Sequence, residues 1–269
     1  MVSGGDNGAG GRAIAVQTLV IWAKRWLLAL QFLTIFPIPE TRSVNETDFR
    51  QSVAFYPIVG MVLGTGLGLV QWGLTRILPV MPATALSLAG YSLATGFLHL
   101  DGLMDLADGV GSRKPRPEAL KIMRDSRVGS MGVVAGILVM VGKFAALSSL
   151  PPGHLGPFVV IPALARWAMV LAMTSAPYAR VGESGIGSLY AMHISRIALW
   201  MSSLTVIVAA VLLLPVAEAV SVWGLALAVA WAMVSFARRR LGGMTGDAYG
   251  AINELVEWLG WTLVLAWHG

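Results

Sequence analysis

Apolar residues run along this chain in stretches near the length that a helix needs to cross the hydrocarbon core of a bilayer, about 20 residues. Short polar or Pro-bearing breaks separate them. The runs Val53–Leu78, Pro82–Leu100, Val128–Leu150, Leu155–Thr174, Arg196–Val216, Val220–Ala237 and Ala248–Trp267 each predict a helix, giving about seven crossings. Tight turns at Pro79–Pro82 and Pro151–Pro157 join two pairs of them as antiparallel hairpins. Leu19–Pro37 is apolar too, but Lys24 and Arg25 interrupt it, and a charge pair at mid-span is expensive in lipid. That segment predicts a short re-entrant or interfacial helix from about Trp26 to Phe36, followed by a polar loop at Pro39–Gln51. The crossing count therefore stands at seven or eight.

Met1–Gly11 is Gly-rich and polar, without the basic start and small-residue cleavage site of a signal peptide. Residues 1–18 are expected to be a disordered tail, and residues 19–269 a single integral-membrane domain. The fold class is all-α, a polytopic helical membrane protein, with no internal repeat and no soluble domain.

Composition sharpens this picture. The 269 residues are 56% hydrophobic and 12% charged, about half the charged share of a soluble domain, and mean hydropathy is +0.72. Such a chain cannot cover a water-facing surface, which excludes a disordered protein, a nucleic-acid-binding protein and an ordinary cytosolic enzyme. The absence of cysteine excludes a disulfide framework, thiolate zinc, iron–sulfur clusters and a Cys nucleophile. The net charge of +5 is then a matter of loops. Arg113, Lys114, Arg116, Lys121, Arg124 and Arg127 fall between the second and third strong spans, and Arg238, Arg239 and Arg240 between the sixth and seventh. Span parity puts both loops on one side, which the positive-inside rule makes the cytoplasm. The Ser175–Ser195 loop, with Arg180, falls there too.

Only 14 residues are acidic, and seven of them crowd the same ends of three apolar helices: Asp101, Asp105, Asp108, Asp125, Asp247, Glu254 and Glu257. In His99-Leu-Asp-Gly-Leu-Met-Asp-Leu-Ala-Asp-Gly109 the aspartates are spaced i, i+4, i+7 and share one helical face. Carboxylates that close repel unless something cationic sits among them, and an all-oxygen set favours Mg²⁺ or Mn²⁺. The bland alternative is solvated aspartates, or pairing with the basic loop. In Lys121-Ile-Met-Arg-Asp-Ser-Arg-Val-Gly-Ser130, the cations Lys121, Arg124 and Arg127 fall broadly on one face and suit a pyrophosphate. The same stripe is also what a ligand-free positive-inside loop looks like. Asp125 lies among them.

In Gly242-Gly-Met-Thr-Gly-Asp-Ala-Tyr-Gly-Ala-Ile-Asn-Glu254, Thr245 or Asp247 is a candidate helix cap, and Glu254 lies two turns into the apolar span, where it needs a cation, a metal or water. Glu257, displaced around the helix, is read as an ion-pair partner. Arg166, within Leu155–Thr174, is a partner for Glu254 or Glu257, or a phosphate ligand. Lys143 snorkels or pairs. His99 projects opposite Asp101 on an ideal helix and reads first as a hydrogen-bonded histidine, while staying a candidate substrate contact. His154, His193 and His268 show no metal spacing. Gly60, Gly64 and Gly68 form a small-residue stripe for helix packing.

At these residues the chain resembles the cobalamin synthase family, the adenosylcobinamide-GDP ribazoletransferases. The resemblance is carried by Leu30-Gln-Phe-Leu-Thr-Ile-Phe-Pro-Ile-Pro39, Phe55-Tyr-Pro-Ile-Val-Gly60, the His99–Gly109 block, Ile122-Met-Arg-Asp-Ser-Arg-Val-Gly129 and Gly242-Gly-Met-Thr-Gly-Asp247, in the family's order. It covers the chain from about Ala29 to the C-terminus. It implies a Mg²⁺-dependent transferase of the bacterial inner membrane, multi-pass, with its site facing the cytoplasm. Its substrates would be adenosylcobinamide-GDP and α-ribazole or its 5′-phosphate, its products adenosylcobalamin or the 5′-phosphate and GMP. It implies a lipid bilayer as surroundings, no nucleic acid, and leaves a homo-oligomer open.

The family pattern maps onto Asp101, Asp105, Asp108, Asp125, Ser126, Arg127 and Asp247; Arg124 stands where the family commonly has Lys, and Glu254 is a looser match. The resemblance does not decide which of these ligate metal. Combined with the charge reading, the expected roles are metal binding by Asp101, Asp105 and Asp108, catalysis by Asp125, Asp247 and Arg127, and substrate contact by Lys121, Arg124, Ser126, Arg166, Glu254 and His99. Transfer is expected to be direct and in line. Two rivals remain. A CDP-alcohol phosphotransferase would need an Ala-Arg element that Val-Gly-Ser-Arg replaces after Asp105-x2-Asp108-Gly109. A cation-coupled transporter would place its acidic groups near mid-membrane rather than at one face.

Overall fold

The computed structural model describes residues 7–37, 45–151, 153–180 and 194–268, with side chains from Val16 onward. Residues 1–6 of the expected tail, residues 39–44 of the expected polar loop, and residues 181–193 with His193 lie outside the described residues. The described chain is helical: α1 (Asn7–Leu33), α2 (Glu46–Ser52), α3 (Tyr56–Leu74), α4 (Val80–Ala94), α5 (Leu98–Gly111), α6 (Arg116–Ile122), α7 (Ser130–Ser149), α8 (Leu155–Ser175), α9 (Arg196–Leu213), α10 (Val216–Leu241) and α11 (Gly246–Leu265). A 3₁₀ turn, Val53–Phe55, joins α2 to α3. A single parallel bridge, Tyr178 to Met244, is the only β pairing among the described residues.

α8 is the axis of the molecule. A helix that is apolar all round is stable only when surrounded, and α8 is buried along most of its length, with α3, α9, α10 and α11 packed around it. Pro162 lies inside it and has no N–H to give to the Phe158 carbonyl one turn back. α3 crosses at that point on its glycine stripe. A Cβ at Gly64 would sit 1.9 Å from the Phe158 oxygen, and one at Gly60 would sit 2.4 Å from the Pro162 oxygen. Only glycine permits that approach.

The protein is a multi-pass helical membrane protein, with five helical stretches long and apolar enough to cross: Glu46–Leu74, Ser130–Ser149, Leu155–Ser175, Arg196–Leu213 and Val216–Leu241. Three sequence expectations shift. The run Pro82–Leu100 is not one helix. α4 stops at Ala94 because Gly96 and Phe97 both take left-handed φ of 58°, and α5 starts afresh at Leu98. With 15 residues α4 is a shorter apolar helix beside these, and α11 carries Glu254 and Glu257 inside its run, so length and composition alone mark five candidate spans among the described residues. At the N-terminus, α1 begins at Asn7, inside the expected tail, and runs unbroken past Lys24 and Arg25. These two are not left to lipid: Asp48 accepts from both, at 2.7 and 3.4 Å. Asp48 belongs to α2, which forms within the segment expected to be a loop and is started by Asn45, whose side chain accepts from the Asp48 amide.

A buried ionic cluster ties the middle of the bundle. Lys143 of α7 donates to Glu254 at 2.7 Å and to Glu257 at 2.6 Å, both on α11. Arg166 of α8 and the Tyr91 hydroxyl of α4 donate to the other oxygen of Glu257. Lys143 gets there because Gly142 leaves room: a Cβ on it would lie 2.0 Å from the Trp258 indole nitrogen of α11. Two cations face two carboxylates, so the set is neutral although Arg166 and Glu257 are 0% exposed. Such a pair is costly to form but costlier to break. Lys143→Met should therefore destabilise the protein by about 3–5 kcal/mol. Lys143→Met with Glu254→Gln, which restores neutrality, should recover most of it, as read from thermal unfolding in detergent by tryptophan fluorescence. Equal melting temperatures for Lys143→Met and the parent would contradict this account.

Candidate active site

The aspartate stripe of α5 meets the start of α11 at one end of the bundle. α5 is amphipathic: Leu103 and Leu106 are buried, Asp101 is exposed and Asp105 half-buried. Contact with α11 is made through glycines on both sides. A Cβ at Gly102 would lie 3.0 Å from the Asp247 Cα, and one at Gly250 2.8 Å from the His99 carbonyl oxygen. This approach sets Asp101 and His99 beside Asp247 around a pocket of about 150 Å³, with Phe32 of α1 and Met169 of α8 on its apolar side. His99 is buried, and its Nε2 has no hydrogen-bond partner among the described residues.

α11 is started by Thr245, whose hydroxyl accepts from the Ala248 amide at 3.2 Å, so Asp247 falls in the first turn, where the helix dipole favours an anion. Its partner is Arg180, which donates to it at 2.9 Å. Arg180 is placed by the strand-like clamp between the segment after α8 and the α10–α11 turn. There Met244 donates to the Pro177 carbonyl at 2.9 Å and Ala179 to the Met244 carbonyl at 2.7 Å. Gly242, at φ 78°, ends α10, and the Arg116 guanidinium packs over it while donating to the Ala179 carbonyl at 3.3 Å.

Charge is unbalanced here. Burial first, then the charges of Asp101, Asp247 and Asp108, push the Asp105 carboxyl up to about 7, while Arg180 pulls it back. Asp108 is used differently from Asp101 and Asp105. Its carboxylate accepts from the amides of Gly129 and Gly132, each at 2.7 Å, and so caps α7 from another helix. The aspartate oxygens do not converge to within 4.8 Å of one another in threes. The face expected to act as one ligand set is thus divided: Asp101 lines the pocket, Asp105 shares its field with Asp247, and Asp108 anchors α7.

The remaining expected residues separate into two groups. Asp125, Ser126 and Arg127 lie on the turn between α6 and α7. Arg127 is 87% exposed and forks onto Asp125 at 2.6 and 3.0 Å. These bonds hold the Asp125 carboxyl down at about 2, with Lys121 adding to the effect. Arg124 is near enough to Tyr178 for its charge to be felt there, which links this turn to the Arg180 clamp. Arg166 and Glu254 lie instead in the buried cluster and reach neither Asp247 nor the turn: Arg166 takes the ion-pair alternative with Glu257, and Glu254 is met by Lys143. Arg180 and Tyr178 were not singled out from the sequence. The available signal was that Arg180 is the lone Lys or Arg of its loop.

The family model for cobalamin-5-phosphate synthase matches residues 25–265. The chain belongs to the cobalamin-5-phosphate synthase family. Curated relatives share its length as well. An adenosylcobinamide-GDP ribazoletransferase of Desulforamulus reducens is 40% identical over 231 residues, 86% of this chain and 91% of the relative. Those of Syntrophobacter fumaroxidans and Brevibacillus brevis are 40% and 38% identical, covering 85% and 86% of this chain and 93% and 94% of the relatives. No solved structure matches the chain. The cobalamin-5-phosphate synthase match spans every element that builds the pocket and the buried cluster, from the last third of α1 to the end of α11.

The like-charge crowding has a measurable consequence. Between pH 4 and 7 the folded chain keeps a proton on Asp105 that the unfolded chain has released. Stability therefore falls as pH rises through that window. Asp105→Asn removes the loss. In chelator-treated protein at pH 8 it should be more stable than the parent by about 1–2 kcal/mol, the part left after solvent screening of a half-exposed group. The gap should close towards pH 4; thermal melts across that range check both the sign and the closing.

Proposed function

We propose that this chain joins adenosylcobinamide-GDP to α-ribazole, or to its 5′-phosphate, releasing GMP and giving adenosylcobalamin or its 5′-phosphate. One observation carries the reading. Asp101 and Asp247 line one pocket and Asp105 lies within the field of both, so the three share a surplus of negative charge beside a turn rich in Lys and Arg, in a member of this family. The site faces the cytoplasm of a bacterial inner membrane in this reading. Arg113, Lys114, Arg116 and Arg238–Arg240 fall at the same end of the bundle, as the positive-inside rule requires.

The donor set at the pocket fits a hard divalent cation. It is all oxygen, it has Arg180 alone as bonded countercharge among the described residues, and it is open rather than caged, which suits Mg²⁺, an ion that binds through one or two carboxylates together with substrate phosphates. Two of Asp101, Asp105 and Asp247 would hold it, and when bound it supplies neutralisation of charge on the pyrophosphate. The chain's own residues do the rest. Lys121, Arg124 and Arg127, on or beside the α6–α7 turn, take phosphate oxygens of the GDP moiety, Arg127 by exchanging its Asp125 partner. Arg180 holds Asp247 in register. His99 Nε2 accepts a hydrogen bond from a substrate hydroxyl in the pocket. Asp125, ionised and forked by Arg127, is a poor proton acceptor, so its role is to orient Arg127. Glu254 and Arg166 act through the rigidity of the bundle and not by substrate contact.

GMP release is the direct assay. With purified protein in liposomes, Asp101→Asn and Asp247→Asn should each lower kcat at least about 100-fold, as loss of a group acting on the transition state does. Arg127→Ala should chiefly raise KM for the GDP-bearing substrate. Mg²⁺ should raise the melting temperature of the parent and not that of the Asp101→Asn/Asp105→Asn pair. CMP release from a CDP-alcohol, or ion flux without turnover, would replace this reading with one of its rivals.

A further inference from the structure

At the end of the bundle opposite the aspartates, three side chains from separate parts of the chain meet. His154 stands just before α8, Glu218 lies in the first turn of α10, and His268 follows α11. One ligand atom from each lies within 4.8 Å of the other two. Glu218 Oε2 and His268 Nε2 are 3.2 Å apart, and the rings of His154 and His268 meet edge to face with 4.1 Å between centroids. Glu218 is 1% exposed, yet its Oε1 has no hydrogen-bond partner among the described residues. A buried carboxylate oxygen left unsatisfied is costly, and more so in a charged group.

The surroundings hold these groups in place. Trp267 donates to Ser221 at 3.1 Å, tying the end of the chain to α10. Gly156 lets the start of α8 press on the end of α9, where a Cβ would sit 2.3 Å from the Leu213 carbonyl oxygen.

We propose that His154, Glu218 and His268 form a second metal site, for a borderline transition-metal dication of the zinc type. Two imidazole nitrogens and one carboxylate are the donors such an ion selects, whereas the all-oxygen aspartate pocket selects a hard ion. In a tetrahedral site with bonds of about 2.0–2.1 Å, neighbouring ligand atoms stand about 3.3 Å apart. The Glu218–His268 pair already has nearly that spacing. Both histidines are only partly buried, which leaves the fourth position to water. The site staples the end of α11 to α8 and α10, on the face away from the pocket. Its role is to hold the bundle together, not to take part in transfer.

The test uses the full chain in detergent, carrying no polyhistidine tag and stripped with chelator, and titrated with Zn²⁺ alone against a chromophoric competitor. The expected result is one Zn²⁺ per chain with micromolar or tighter affinity. At a hundredfold excess over Kd the melting temperature should rise by about 5 °C, and in the Asp101→Asn with Asp105→Asn protein, whose aspartate pocket is disabled, Mg²⁺ should not reproduce this. His154→Ala with His268→Ala should abolish both effects, while Asp101→Asn with Asp105→Asn should leave both intact. X-ray absorption at the zinc edge of the unmutated protein should show two imidazoles, a readout that does not depend on the variants folding. Absence of stoichiometric binding, binding that survives the double histidine variant, or a spectrum without imidazole would each overturn the proposal.

Discussion

The structure depends on the balance of charge around Lys143 and Arg166. A bundle of apolar helices in lipid has little to fix its register, because lipid tails are as apolar as the helix faces they would replace. Glu254 and Glu257, three residues apart on α11, remove that freedom. Each must find a cation, and the cations stand on α7 and α8. A slide of α11 by one turn would carry one glutamate roughly into the other's place and leave the second buried without its cation. Register set by a buried polar group is the best-attested use of such groups, and here it places Asp247, seven residues before Glu254, against the aspartate helix.

The two acidic groups of α11 therefore do opposite things. Deep in the bundle, carboxylates are matched and the local structure is held firmly. At the end of the bundle, Asp101, Asp105 and Asp247 are under-matched, with Arg180 bonded to the last of them. A mismatch of that kind is tolerable only on a stiff platform, and the glycine contacts at Gly60, Gly64, Gly102 and Gly250 supply the stiffness through close backbone packing.

Much of this was legible in the sequence. The Gly60–Gly64–Gly68 stripe does pack helix on helix, the aspartate-bearing α5 does meet the start of α11, and the all-α membrane class follows from composition. What escaped detection has physical reasons. The break at Gly96–Phe97 is a backbone event, set by two left-handed residues inside a run whose hydropathy continues without change. The capping of α7 by Asp108 links residues 21 and 24 positions apart, so helical spacing alone grouped it with its neighbours on the stripe. Asp48 pairs with Lys24 and Arg25 from a helix that a polar segment did not advertise. His154 and His268 have no spacing to read, because their meeting is made by the tertiary fold.

The fork between Arg127 and Asp125 has one further implication. An anion that recruits this guanidinium does not add a contact to an idle cation; it displaces one already satisfied by a neighbour two residues away. Capture becomes a trade of partners. In the proposed reading the released carboxylate would then repel the newcomer, which weights the exchange towards ligands carrying more than a single negative charge. In this way a water-facing turn can discriminate a diphosphate from the many monovalent anions around it without a cavity shaped for either.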